Sequence, residues 1–92
     1  MMPKVIIPPP YRGATSGLDE ISVAGETIGD CLSSAIALHE DLRELLLALD
    51  GTLQPFVTVV LNGEKLSQDK GLNVKLAQKD VIEIISAIAG GN

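Results

Sequence analysis

The sequence predicts an α+β roll, a mixed sheet wrapped on one main helix, and three observations carry that expectation. Runs rich in β-branched residues mark strands near the start, the middle and the end: Val5-Ile6-Ile7, Val57 to Leu61 and Val81 to Ile85. Between the first and second runs, residues 27–49 place apolar side chains at three- and four-residue spacing, the mark of a helix with one buried face. The chain has 92 residues, 46% of them apolar, with one Tyr, one Phe and no Trp. That is one domain with an aliphatic core, and too apolar a chain to stay unfolded.

The elements follow in order. Lys4 to Ile7 reads as a short strand, stopped by Pro8, Pro9 and Pro10, which cannot donate to a sheet ladder. Tyr11 to Gly17 reads as a loop. Asp19 to Ala24 is a second strand, in which Ile21 and Val23 alternate with Glu20 and Ser22, so the N-terminus forms a hairpin. Gly25 opens the helical region, with Thr27 as N-cap and Asp30 at the positive helix end. Ile28, Leu32, Ala35 and Ile36 define its buried face, and Leu42, Leu45, Leu46 and Leu49 continue it. Two helices are expected, broken near His39–Asp41 because Asp41 can cap a new start, with Asp50-Gly51 ending the second. Phe56 to Leu61 is the strongest strand. Asn62-Gly63 is a type I′ turn signal, and Glu64 to Leu66 returns as a short strand. Ser67 to Gly71 reads as loop, Leu72 to Leu76 as a helical turn and Gln78-Lys79-Asp80 as a tight turn. Val81 to Ala87 is the last strand.

This β-β-α-β-β-β order fits a β-grasp roll. A right-handed crossover runs through the helix, and one sheet face stays open to solvent. A helical bundle would force the β-branched stretches 56–61 and 81–87 into helix. Residues 1–92 are expected to form a single domain with a flexible tail over 88–92.

Composition excludes several functions. Twelve acids against seven bases give a net charge of −5, which argues against nucleic acid or an anionic membrane surface as partner. One Cys and one His cannot build a disulfide, a four-Cys zinc site or a His cluster, so neither metal nor cofactor is expected. No segment reaches 18 consecutive apolar residues, and the first ten show no signal-peptide pattern, which points to a cytoplasmic protein. Few polar side chains are available to converge in a pocket, so no catalytic residues are assigned. The composition suits a small protein that works by being bound.

Most chemically loaded residues have plain readings. Cys31 suits a buried small hydrophobe on the helix, and His39 a surface or capping position at the helix break. Glu40, Asp41 and Glu44 suit a solvated helix face. An acyl carrier would need an all-helical chain with an Asp-Ser-Leu site, whereas Asp30-Cys31-Leu32 stands here beside clear strands. The C-terminus is different. A strong strand runs into Ala87-Ile88-Ala89-Gly90-Gly91, and two glycines without Cβ atoms can thread a narrow channel in any backbone conformation. Such a tail suits presentation of a carboxylate to another protein's active site.

The whole chain resembles the ubiquitin-like small sulfur-carrier family, which includes the molybdopterin-synthase small subunit and the thiamine-pathway carrier, and is most similar to its cysteine-biosynthesis branch. The likeness rests on Ile7-Pro8, Arg12, Gly25-Glu26-Thr27-Ile28-Gly29, Phe56-Val57, Asn62-Gly63-Glu64, Gly71-Leu72, Asp80 and Ala87-Ile88-Ala89-Gly90-Gly91. Lys79 and Ser86 depart from the family's usual Gly and Pro, and Asn92 follows the second glycine. The resemblance implies that Gly91, with Gly90 before it, is adenylated by an E1-like enzyme using ATP and becomes a thiocarboxylate. A thiocarboxylate is ionised at neutral pH and nucleophilic without a local base, so the carrier needs no catalytic side chain. A pyridoxal-phosphate cysteine synthase would accept the sulfur. While Asn92 is attached, Gly91 carries no free carboxylate, which implies processing between Gly91 and Asn92 by a peptidase such as a JAMM-type zinc enzyme. A molybdopterin-synthase small subunit and a ubiquitin-like protein modifier stay open as alternatives. Strand alternation places Val57, Val59, Leu61, Ile82 and Ile84 inward. Phe56, Val60 and Ile85 are left as an outward partner-binding patch, with Ile88 and Ala89 beyond it.

Overall fold

The computed structural model describes residues 2–87. Its elements are β1 (Lys4–Ile6), a 3-10 helix (Pro9–Thr15), β2 (Glu20–Ser22), α1 (Ile28–Leu38), α2 (Leu42–Leu46), β3 (Val57–Leu61), β4 (Glu64–Lys65), α3 (Gln68–Gly71) and β5 (Val81–Ser86). The strands form a five-stranded mixed sheet in the order β2-β1-β5-β3-β4. The last strand in sequence is central in space. It runs parallel to β1 and antiparallel to β3, with Val59 opposite Ile84 and Leu61 opposite Ile82.

Alternation along these strands builds the core. Val5, Ile21, Val57, Val59, Ile82 and Ile84 all point to one face and are buried. Ile28, Cys31, Leu32, Ala35 and Ile36 of α1 meet them, joined by Leu42 and Leu46 of α2. This is the expected aliphatic core, on the expected face. The opposite face presents Lys4, Glu20, Val81, Glu83 and Ile85 to solvent. Lys4 and Glu20 form an ion pair there at 3.4 Å.

The start of α1 follows from its sequence and from one long-range partner. Thr27 Oγ1 accepts the Asp30 N–H at 3.1 Å, as an N-cap should. The Ile28 and Gly29 N–H groups, orphans of any helix start, donate to the carbonyls of Val74 at 3.0 Å and Leu72 at 2.9 Å. A Cβ on Gly29 would sit 3.0 Å from the Leu72 oxygen, and one on Gly25 would sit 2.7 Å from the Cys31 backbone nitrogen. The Gly25–Gly29 motif therefore lets three backbone segments approach closely.

Several sequence expectations need correction. The stretch after the prolines is a 3-10 helix rather than a loop, because the fixed proline φ also suits a 3-10 turn. It buries Tyr11 and Thr15. The helix lies earlier than expected, at Gln68–Gly71 inside the expected loop; Leu72 and Asn73 follow it in a turn, and residues 74–76 then run beside the start of α1, where Lys75 bridges Thr27. Asp41 stands at the start of α2 but makes no side-chain cap. Helix α2 stops at Leu46, where Leu47 pairs with Leu53, so the helical spacing no longer reaches Leu49, which is fully exposed. Asp50-Gly51 forms a separate turn. Asp50 accepts the Thr52 N–H at 3.1 Å and hydroxyl at 2.7 Å, and Gly51 takes φ 89°.

Candidate functional site at the end of the central strand

The C-terminal end of β5 is held by β3. Ser86 pairs with Val57 of β3, and the Ala87 N–H donates to the Phe56 carbonyl at 2.8 Å. Parallel pairing with β1, which aligns Ile6 with Glu83, brings the proline segment alongside the same end. The chain thus leaves the sheet at a fixed point. Ile88, Ala89, Gly90, Gly91 and Asn92, all singled out from the sequence, lie outside the described residues.

Beside this exit is an open groove of about 390 Å³, lined by Ile6 to Pro10, Arg12 and Glu83 to Ser86. Its walls are mostly apolar, from isoleucines and proline rings, with one guanidinium and one carboxylate. Arg12 Nε donates to the Ile7 carbonyl at 3.1 Å, which fixes the plane of the guanidinium. Among the described residues its other two nitrogens have no hydrogen-bonded or ionic partner. Ile85 is 43% exposed at the groove edge. Val60 lies on the same outer face, half-buried, opposite Glu83.

Phe56 does not join this patch. It precedes β3, in a turn, so strand alternation does not govern it, and its side chain packs against the core. The outward apolar surface consists of Ile85, Val60, Ile6 and Val81 instead. Arg12 and the proline wall were not assigned to the site from sequence. Only the β1–β5 pairing, between residues nearly 80 positions apart, reveals them, although Arg12 was already among the residues carrying the family resemblance.

The remaining candidates take structural roles. Cys31 is fully buried, and burial, with the neighbouring Asp30 charge adding, pushes its thiol above the usual range. It therefore stays protonated and unreactive. His39 sits at the C-cap of α1, its backbone N–H bonded to the Ala35 carbonyl at 2.9 Å. Glu40, Asp41 and Glu44 are exposed, with Glu40 paired to Arg43 at 3.3 Å. Among the described residues no three His, Cys, Asp or Glu side chains come together as metal ligands. No helix there is long and apolar enough to cross a membrane.

A mixed five-stranded sheet with a parallel central pair, wrapped on one helix, with the chain leaving from the middle strand, defines a ubiquitin-like β-grasp domain. The fold superimposes on a chain in the crystal structure of the Amycolatopsis orientalis BexX/CysO complex with TM-score 0.87 and 26% identity, covering 97% of this chain and 99% of that one. It also matches the crystal structure of Mycobacterium tuberculosis CysO (TM-score 0.84, 30% identity, 92% and 98% covered). The small archaeal modifier protein 1 of Methanosarcina acetivorans, at TM-score 0.83 and 24% identity over 97% of this chain and 95% of its own, shares the fold. In sequence the chain is 33% identical to the M. tuberculosis sulfur carrier protein CysO over 89 residues, 95% of this chain and 96% of the relative. The ThiS family model matches residues 6–91, and the chain belongs to that family.

Proposed function

We propose that this protein is a sulfur carrier whose Gly91 carboxylate is activated and converted to a thiocarboxylate that delivers sulfur to a biosynthetic enzyme, with cysteine as product. The observation that carries this reading is the family match, which runs through the diglycine to residue 91, supported by 33% identity to a CysO carrier over 95% of this chain. Gly91 is followed by Asn92, so its carboxylate is free only after that peptide bond is hydrolysed. A JAMM-type metallopeptidase suits this step. An E1-like adenylyltransferase then transfers AMP from ATP to the carboxylate, pyrophosphate leaves, and a sulfur donor displaces AMP. A pyridoxal-phosphate cysteine synthase consumes the product.

The body serves recognition. The groove at the exit of β5 gives a partner an apolar edge at Ile85 and a guanidinium at Arg12, fixed relative to the point where the tail begins. That the A. orientalis relative was crystallised in a complex supports partner proteins for a carrier of this kind. The test is reconstitution. A chain ending at Gly91, mixed with activating enzyme, ATP and sulfide, should gain the mass of one sulfur-for-oxygen exchange, while the chain ending at Asn92 should not. Conjugation of Gly91 to lysine in the same mixture would favour a protein modifier instead.

A further inference from the structure

Asn62 and Gly63 close the β3–β4 hairpin with left-handed backbone at both positions, φ 51° and 89°, the primed turn an Asn-Gly pair favours. That turn does not require the Asn62 side chain, yet both ends of its amide are engaged. Nδ2 donates to Asp80 Oδ1 at 2.9 Å, and Oδ1 accepts the Val81 N–H at 2.9 Å. Asp80 is fixed in turn, because its other oxygen accepts the Ala77 N–H at 2.7 Å. The cluster latches the hairpin turn onto the start of the central strand. Asn62 and Val81 are solvent-exposed and Asp80 partly so, where such bonds contribute little net stability.

Asn-Gly is also where an asparagine is chemically weakest, since glycine has no side chain to hinder its backbone nitrogen. The Gly63 nitrogen attacks Asn62 Cγ and a new C–N bond forms. The proton lost from Gly63 goes to the departing amide nitrogen, which leaves as ammonia. Water then opens the resulting succinimide at either carbonyl, giving aspartate or isoaspartate. Water is the sole co-reactant. The attack needs the Asn62 side chain free to rotate, and the two hydrogen bonds of the latch resist that rotation.

We propose that Asn62 is a guarded deamidation site: the bonds to Asp80 and Val81 hold its amide away from the Gly63 nitrogen, so modification is confined to molecules whose β3–β4 turn has opened from β5. The change runs one way. The product carboxylate faces Asp80 across the 2.9 Å that an N–H had bridged, so a donor is lost and like charges meet. An isoaspartate also adds a backbone atom inside a two-residue turn that sets strand register. Each carrier thus keeps a permanent record of having opened at this corner.

The test follows ammonia release and peptide mass at Asn62 in the full-length chain, at mildly alkaline pH. Deamidation in denaturing urea should exceed that of the folded chain by about tenfold or more, because only opened molecules react. The folded Asp80→Ala variant should react roughly threefold to fivefold faster than the parent, the population shift one surface hydrogen bond gives. Should that variant not fold, sub-denaturing urea on the parent chain serves, where the rate should rise with urea. Equal rates folded and unfolded, or a folded Asp80→Ala variant no faster than the parent, would overturn the proposal. So would a rate flat in sub-denaturing urea. Asn62→Asp, which mimics the product, should melt below the parent at neutral pH, with the gap narrowing in acid as one carboxyl takes a proton. An Asn62→Asp chain as stable as the parent would overturn the one-way part.

Discussion

Ile84 and Ile85 are neighbours on the central strand, and exchanging either for Asp should separate folding from partner docking. Ile84 is 1% exposed, opposite Val59 in the middle of the core. Losing its side chain alone costs about 2–5 kcal/mol, and a carboxyl forced into an apolar site adds several more. Together these approach the whole stability of a domain of this size, about 5–15 kcal/mol, so Ile84→Asp should not fold. Ile85 is 43% exposed on the outer face. Ile85→Asp loses part of a side chain's burial and some strand propensity, about 1–2 kcal/mol. For a domain this small that lowers the melting temperature by roughly 4–15 °C. Its effect should fall on docking instead, where an apolar anchor replaced by a charge costs about 2 kcal/mol or more, roughly thirtyfold in Kd. Thermal melting followed by circular dichroism, with titration calorimetry against the activating enzyme, reads both quantities. A folded Ile84→Asp beside an unfolded Ile85→Asp would exchange the inner and outer faces of β5. A folded Ile85→Asp that binds like the parent would remove the outer face from the docking site.

Other perturbations probe separate parts of the account. Gly25→Ala puts a Cβ at 2.7 Å from both the backbone nitrogen and the Sγ of Cys31; a loss of about 1–3 kcal/mol is expected in urea denaturation. Arg12→Glu reverses the groove's one cation while leaving the core untouched, so KM for the carrier in adenylation should rise with kcat nearly constant, and unaltered KM would count against the groove. The Asp80 carboxyl is held below the usual carboxylate range, by the Ala77 N–H first and the Asn62 amide second. A group whose folded pKa is depressed stabilises above its unfolded pKa and loses that contribution as pH falls through the folded value. The stability gap between the parent and Asp80→Ala should therefore be present at neutral pH and close in acid, as urea midpoints at several pH values would show.

The parts of this fold that were legible in the sequence are those governed by local period and chemistry. The alternation of Ile82 and Ile84 named the inner face of β5, Thr27 announced a helix start, and Asn62-Gly63 announced a turn. Features set by distant partners were not legible. Residues 72–76 turn and then run beside α1 because the carbonyls of Leu72 and Val74 answer its open N–H groups, some 45 residues earlier. Leu49 kept a helical spacing that α2 does not live long enough to use. Phe56 looked like a strand residue but precedes the strand, and its side chain turns to the core. The site divides the same way. The proposed diglycine is a motif of the sequence itself, whereas the groove exists because β1 lies parallel to β5 and places Arg12 beside the end of that strand.

The claim at the centre of the account is that Gly91, and no side chain, carries the chemistry. Intact-mass measurement of the protein isolated from its own cells tests it most directly. A population ending at Gly91, with a fraction bearing sulfur in place of one carboxylate oxygen, is the expected result. Finding only chains that retain Asn92, with no sulfur-loaded form, would contradict it.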